Sequence, residues 1–139
     1  VLLKTIIVAV DCSDTSEQLL TALTNLNLDS NETIIFTNIL PSPESNYDLP
    51  LDQPQNIGES FYQEREEQLK SYQIKYPGSK IEILRGDPAE EIIRLANIYH
   101  ADLIVIGSRG LKGFKRIFEN SVSSQVVADA VCSVLVVRN

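Results

Sequence analysis

Among 139 residues there are two cysteines and one histidine, and no apolar stretch approaches the ~20 residues that a membrane-spanning helix needs. Cys12 and Cys132 lack metal-ligand spacing and are too few for a disulfide framework, so a reducing, cytoplasmic setting is expected. The lone His100 sits in a Tyr-His-Ala-Asp connection, where a surface role outweighs a catalytic one. Cations are also scarce: twelve Lys and Arg face nineteen Asp and Glu, giving a net charge of −7 and a pI near 4.6. Such a chain repels a phosphate polymer unless it segregates a large basic face, which argues against nucleic acid as a partner. The apolar opening VLLKTIIVAV has no basic segment before it and no small-residue cleavage site after it, and reads as a buried strand rather than a secretion signal. No membrane partner is expected.

What is present is ordinary globular material, 43% hydrophobic and 22% charged, of a length that suits one domain over residues 1–139. Short runs rich in Val, Ile and Leu occur at residues 5–10, 33–40, 80–84, 103–106 and 133–137. Most lack polar alternation, which implies burial on both faces. Between them fall segments with helical spacing: Leu19, Ala22, Leu23, Leu26; Ile57, Phe61, Leu69, Tyr72, Tyr76; Ala89, Ile92, Ile93, Ala96; and Val122, Val126, Val127, Ala130. The order β-α-β-α-β-α-β-α-β predicts an α/β fold, a single doubly wound five-stranded parallel sheet of order 3-2-1-4-5 with helices on both faces. Residues 41–56 hold four of the six prolines and no sustained apolar period. They predict a loop longer than the usual ~4–6 residues, equally a lid or a mobile segment.

A sheet of this order binds ligands beyond the carboxyl ends of its strands, where the first and fourth strands part. The first strand runs into Val10-Asp11-Cys12-Ser13, with Asp14 and Glu17 spaced as a capping box. The fourth runs into LIVIGSRGLKGFKRIFENSVSSQVV, where an apolar run breaks at Gly107 and helical spacing resumes at Ser121. Arg109, Lys112, Lys115 and Arg116 lie between. Glycines that admit backbone N–H groups, cations and a following helix N-terminus form an anion-binding combination. Glycines alone would serve equally well as turn residues. Asp11 likewise suits either a helix cap or an acceptor for a ribose hydroxyl or base amino group.

The loop resembles the nucleotide-binding pattern G-x2-G-x9-G-(S/T) of the universal stress protein family: Gly107-Ser108-Arg109-Gly110, nine residues, then Asn120-Ser121. The resemblance extends through VAVDCS, the Gly86-Asp87-Pro88 turn, ADLIVIGSRG and the terminal CSVLVVRN. It implies an adenine-nucleotide-binding stress-response regulator or sensor, taking ATP, ADP, AMP or cyclic AMP, with Mg2+ as an optional companion. By that resemblance Asp11 serves the adenine or ribose with Ala9 and Val10 beside it, Ile39 flanks the base, and Ile106 lines the floor. Gly107 and Gly110 present backbone to ribose and phosphates with Arg109 between them, and Ser121, Val122 and Ser123 offer donors at the helix start. Asn120 stands where the family has its third glycine. Asparagine tolerates positive φ, but its side chain adds bulk beside the phosphates. The alternative is therefore a member that has lost nucleotide binding and acts as a dimeric interaction module.

No general base is identifiable beside a bound phosphate and no P-loop G-x4-GK(S/T) is present, so no catalytic residue and no metal ligand is assigned, and turnover is expected to be at most that of a weak ATPase. The last strand, with Val134, Leu135, Val136 and Val137 apolar on both faces at a sheet edge, invites pairing. Family resemblance points the same way, to a homodimer across a two-fold axis, with a downstream protein that the sequence does not name.

Overall fold

The computed structural model describes residues 3–10, 16–26, 28, 31–40, 57–108 and 122–138. Five strands and four helices alternate among them: β1 (Thr5–Ala9), α1 (Ser16–Asn25), β2 (Thr33–Leu40), α2 (Ile57–Lys75), β3 (Lys80–Arg85), α3 (Pro88–Tyr99), β4 (Leu103–Gly107), α4 (Val122–Asp129) and β5 (Ser133–Val137). The strands form one sheet in the order β3-β2-β1-β4-β5, every pairing parallel. This is the expected α/β topology.

Two apolar layers explain why the strands read as continuous hydrophobic runs. Ile6, Val8, Ile34, Phe36 and Val105 project to one side, against Leu19, Leu20 and Leu23 of α1 and Leu69 and Tyr72 of α2. Ile7, Ile35, Ile104 and Ile106 project to the other, against Ala89, Ile92, Leu95 and Ala96 of α3 and Val126 of α4. Successive strand residues alternate between faces, so a sheet covered on both sides needs apolar residues at consecutive positions. Ile6, Ile7, Ile35, Phe36, Ile104 and Val105 are all 0% exposed, and each such side chain contributes about 1.5–3 kcal/mol on burial.

Local chemistry sets the element ends. Asp87 caps α3 by accepting from the Glu90 amide at 3.0 Å, and Pro88 at the first helical position needs no amide partner. His100, exposed, closes α3 in the left-handed conformation (φ 54°), and the Ala101 amide returns to the Ala96 carbonyl at 2.8 Å. Gly86, just before the Asp87 cap, has φ +141°, a backbone state open to glycine and strained for other residues. At the amino end of the sheet, Asp102 Oδ2 accepts from the Lys4 and Thr5 amides at 3.0 and 3.1 Å. The Asp102 amide donates to the Thr5 carbonyl at 2.8 Å, and the Thr33 amide to the Lys4 carbonyl at 2.7 Å. The start of β1 is thus fastened to both flanking chain segments.

Candidate functional site

The first and fourth strands are neighbours at the centre of the sheet, and β1 pairs onward to β2 while β4 pairs onward to β5. Chain connections therefore diverge at the carboxyl ends of β1 and β4, the switch point at which sheets of this order bind ligands. Register puts Ala9 opposite both Ile106 and Thr37, and Ile106 opposite Val136. Ala9, Ile39, Ile106 and Val122 belong to the apolar cluster on the α3 and α4 side, with Ile106 only 5% exposed. Val10 belongs to the opposite cluster, 3% exposed. Ala9 thus puts a small side chain between the β-branched Thr37 and Ile106 of the neighbouring strands.

At the rim, Gly107 is half-buried and ends β4, and the Ser108 amide donates to the Val137 carbonyl at 3.0 Å, so the chain remains tied to β5 one residue beyond the strand. The described residues of the fourth helix begin at Val122, the expected start at Ser121 lying outside them, and Ser123 in its first turn is a buried polar residue at 7% exposure. The first turn of such a helix presents amides with no intrahelical acceptor, and its positive dipole end favours an anion. The described residues of the sequence-derived set, Ala9, Val10, Ile39, Ile106, Gly107, Val122 and Ser123, thus occupy the carboxyl ends of β1, β2 and β4 and the start of α4. Asp11, Arg109, Gly110, Asn120 and Ser121 lie outside the described residues, as do Cys12, Lys112, Lys115, Arg116 and the segment 41–56.

Two residues at this end carry a signal that the sequence reading passed over. Thr37 and Asn38 interrupt the apolar run IIFTNIL of β2 and are 0% and 6% exposed. Asn38 Nδ2 donates to the Val10 carbonyl at 2.7 Å, whereas Asn38 Oδ1 and Thr37 Oγ1 have no hydrogen-bond partner among the described residues. A polar pair inside an otherwise apolar strand was the available cue.

Among the described residues, the shifted titratable groups lie elsewhere. At the β3 edge, Tyr99 donates its hydroxyl to Glu82 at 2.6 Å, and this bond, reinforced by burial, holds the phenol above its usual range. The Lys80 ammonium stands 5.4 Å from the centroid of the same ring. Burial pushes the Cys132 thiol up, keeping it protonated and poorly nucleophilic at neutral pH. Among the described residues, no group of three His, Cys, Asp or Glu could hold a metal, and no helix is long and apolar enough to cross a membrane.

Comparison with known proteins accords with this architecture. A universal stress protein of Thermus aquaticus is 39% identical over 95 residues, covering 61% of this chain and 69% of that protein. One from Methanocaldococcus jannaschii is 42% identical over 86 residues, covering 59% of this chain and 51% of that protein, so the match spans only about half of its length. Among solved structures, the hypothetical protein MJ0577 superposes with a TM-score of 0.80 at 24% identity, over 100% of this chain and 98% of that one. A universal stress protein in complex with cAMP gives a TM-score of 0.66 at 22% identity, with 97% and 96% coverage. The Archaeoglobus fulgidus universal stress protein in complex with dAMP gives 0.65 at 23% identity, with 99% of each chain covered. At these identities the superpositions speak to the fold. The sequence model of the universal stress protein family matches residues 3–138, and the chain belongs to that family.

Proposed function

We propose that this protein is an adenine-nucleotide-binding regulator or sensor of the stress response that acts without efficient catalysis. The observation that carries the reading is the topological switch point at the carboxyl ends of β1 and β4, where Ala9 lies opposite Ile106 and the strand ends in Gly107. The base packs over Ala9, Ile39 and Ile106, with Val10 behind. Asp11 accepts from the ribose or the base amino group. The phosphates meet the Gly107 and Gly110 backbone, Arg109, and the α4 start at Ser121, Val122 and Ser123. Two family members of the same fold support the choice of ligand, one in complex with cAMP and one with dAMP. No general base is assigned beside the bound phosphates, which favours binding over turnover.

Calorimetric titration with AMP, dAMP, cyclic AMP, ADP and ATP, the last two with and without Mg2+, tests the reading. Saturable binding of at least one, with hydrolysis at the level of a buffer blank, is expected. Absence of heat for all five at millimolar concentration would overturn it.

Asn120 in the third glycine position favours a second reading, a dimeric interaction module that has lost the nucleotide. That reading requires Asn120→Gly to create an affinity absent from the parent. Under either reading the protein is a cytoplasmic homodimer paired through β5. Supporting this are the edge position of β5, the partial exposure of Val134, Leu135, Val136 and Val137, and the nearby exposed Val127 and Val131. Light scattering is expected to return twice the chain mass, and a monomer throughout the micromolar range would contradict the pairing.

A further inference from the structure

On the side of the sheet that carries α1 and α2, a groove of ≈ 410 Å³ is lined by Glu17, Leu20, Thr21 and Thr24 of α1 with Lys75 and Tyr76 at the end of α2. That volume suits a small ligand, at the lower end of the roughly 300–1,000 Å³ of binding pockets. None of the six residues belongs to the set assigned to the nucleotide. The core holds the floor in place: Leu20 is buried, and the Tyr76 ring lies 6.0 Å from that of the fully buried Phe36.

The hydrogen bonds around the groove set its polarity. Thr21 Oγ1 donates to the Glu17 carbonyl at 3.0 Å, and Thr24 Oγ1 to the Leu20 carbonyl at 3.1 Å. Each threonine has thereby spent its only proton and keeps lone pairs with which to accept. Tyr76 Oη stands 3.1 Å from Thr24 Oγ1, and with the Thr24 proton committed the tyrosine is the donor. Lys75 Nζ and Glu17 Oε2 are 3.6 Å apart, with side chains 56% and 70% exposed. That separation exceeds the about 2.7–2.9 Å of a charge-assisted hydrogen bond, so both ions retain hydrogen-bonding capacity for a ligand.

Two opposite charges this close together discriminate among ligand charges. An anion drawn to Lys75 is opposed by Glu17 and by the chain's net charge of −7, and a simple cation drawn to Glu17 is opposed by Lys75. A zwitterion with adjacent charges meets both ions without opposition. We propose that this groove binds a free α-amino acid with an apolar side chain. Its carboxylate meets the Lys75 ammonium, its α-ammonium meets the Glu17 carboxylate and the Thr21 hydroxyl, and its side chain lies over Leu20 and the Tyr76 ring. The three donors of an ammonium match a groove in which acceptors outnumber donors. Both ions are more than half exposed and therefore well screened, so the affinity is millimolar. The site is independent of the nucleotide-binding reading.

Backbone amide resonances followed during titration with L-leucine test this, beside two analogues that each lack one charge, N-acetyl-L-leucine and L-leucinamide. Saturable shifts at Glu17, Thr21, Thr24, Lys75 and Tyr76 are expected with L-leucine, and a Kd at least tenfold higher with either analogue. Lys75→Gln and Glu17→Gln should each weaken L-leucine binding at least tenfold. Neither should move the melting temperature, because an exposed ion pair contributes little to stability. A spectrum unaltered by tens of millimolar L-leucine would overturn the proposal. So would an equal response to all three compounds, which marks a merely apolar contact, or undiminished affinity in either variant, which places the ligand elsewhere.

Discussion

The two ends of the central strand are built on opposite plans. At its amino end β1 is closed: Asp102 gathers the Lys4 and Thr5 amides, its own amide bonds Thr5, and Thr33 bonds Lys4. At its carboxyl end the ladder with β2 stops, the Val10 carbonyl accepts from the Asn38 side chain, and buried polar atoms of Thr37 and Asn38 go without partners among the described residues. Satisfied backbone groups secure the fold at one end. Orphaned buried atoms do not by themselves distinguish the ends, because Ser79 Oγ, just before β3, also lacks a partner among the described residues. What distinguishes the carboxyl end of β1 is the end of its ladder with β2.

Substitutions at the two ends should therefore separate stability from ligand affinity. The largest effect is expected from Ala9→Leu, which puts a larger side chain between Thr37 and Ile106 at the switch point. Nucleotide affinity should fall at least ~100-fold, about 2.8 kcal/mol, by calorimetry. Retained affinity would place the ligand elsewhere. Asp102→Ala is the counterpart at the closed end: loss of a carboxylate that accepts two backbone amides should cost about 2 kcal/mol in urea unfolding, with affinity unchanged. Gly86→Ala forces a side chain into φ +141° with its Cβ 3.2 Å from Glu91 Cγ, and about 1–2 kcal/mol of stability should be lost without effect on nucleotide affinity.

The smallest effect concerns pH. Tyr99 is held above its ordinary range by its bond to Glu82, so the folded state retains the proton longer than the unfolded chain. Its contribution is complete below the ordinary tyrosine pKa of about 10 and is lost as pH rises through the raised value. Tyr99→Phe should flatten that alkaline decline. An unchanged slope would show that the bond does not persist in solution.

The topology was legible because a sheet covered on both faces writes itself as consecutive apolar residues. Strands β2 and β5 begin and end where their runs do, at Thr33–Leu40 and Ser133–Val137. Elsewhere the ends moved by one residue. Residue 10 was expected to close β1, but the strand ends at Ala9, and the Val10 carbonyl accepts from the Asn38 side chain. Arg85 and Gly107 extend β3 and β4 because each lies opposite a strand residue of its neighbour, Leu40 and Val137. Local patterning does not disclose such pairings. The same limit hid Asn38: its bond to Val10 depends on the register of β2 against β1, and a polar residue in an apolar run does not announce its partner. Ala9, Ile39 and Ile106 entered the candidate set through family resemblance, and the structure gathers them in one apolar cluster at the carboxyl ends of their strands.

The central claim, that the carboxyl end of the sheet is the nucleotide-binding end, is tested most directly by following backbone amide resonances as AMP is added. The account predicts saturable shifts concentrated at Ala9, Val10, Ile39, Ile106, Gly107, Val122 and Ser123, with Lys4, Thr5 and Asp102 unmoved. Shifts centred on the amino end, or a spectrum unaltered at millimolar AMP, would contradict it.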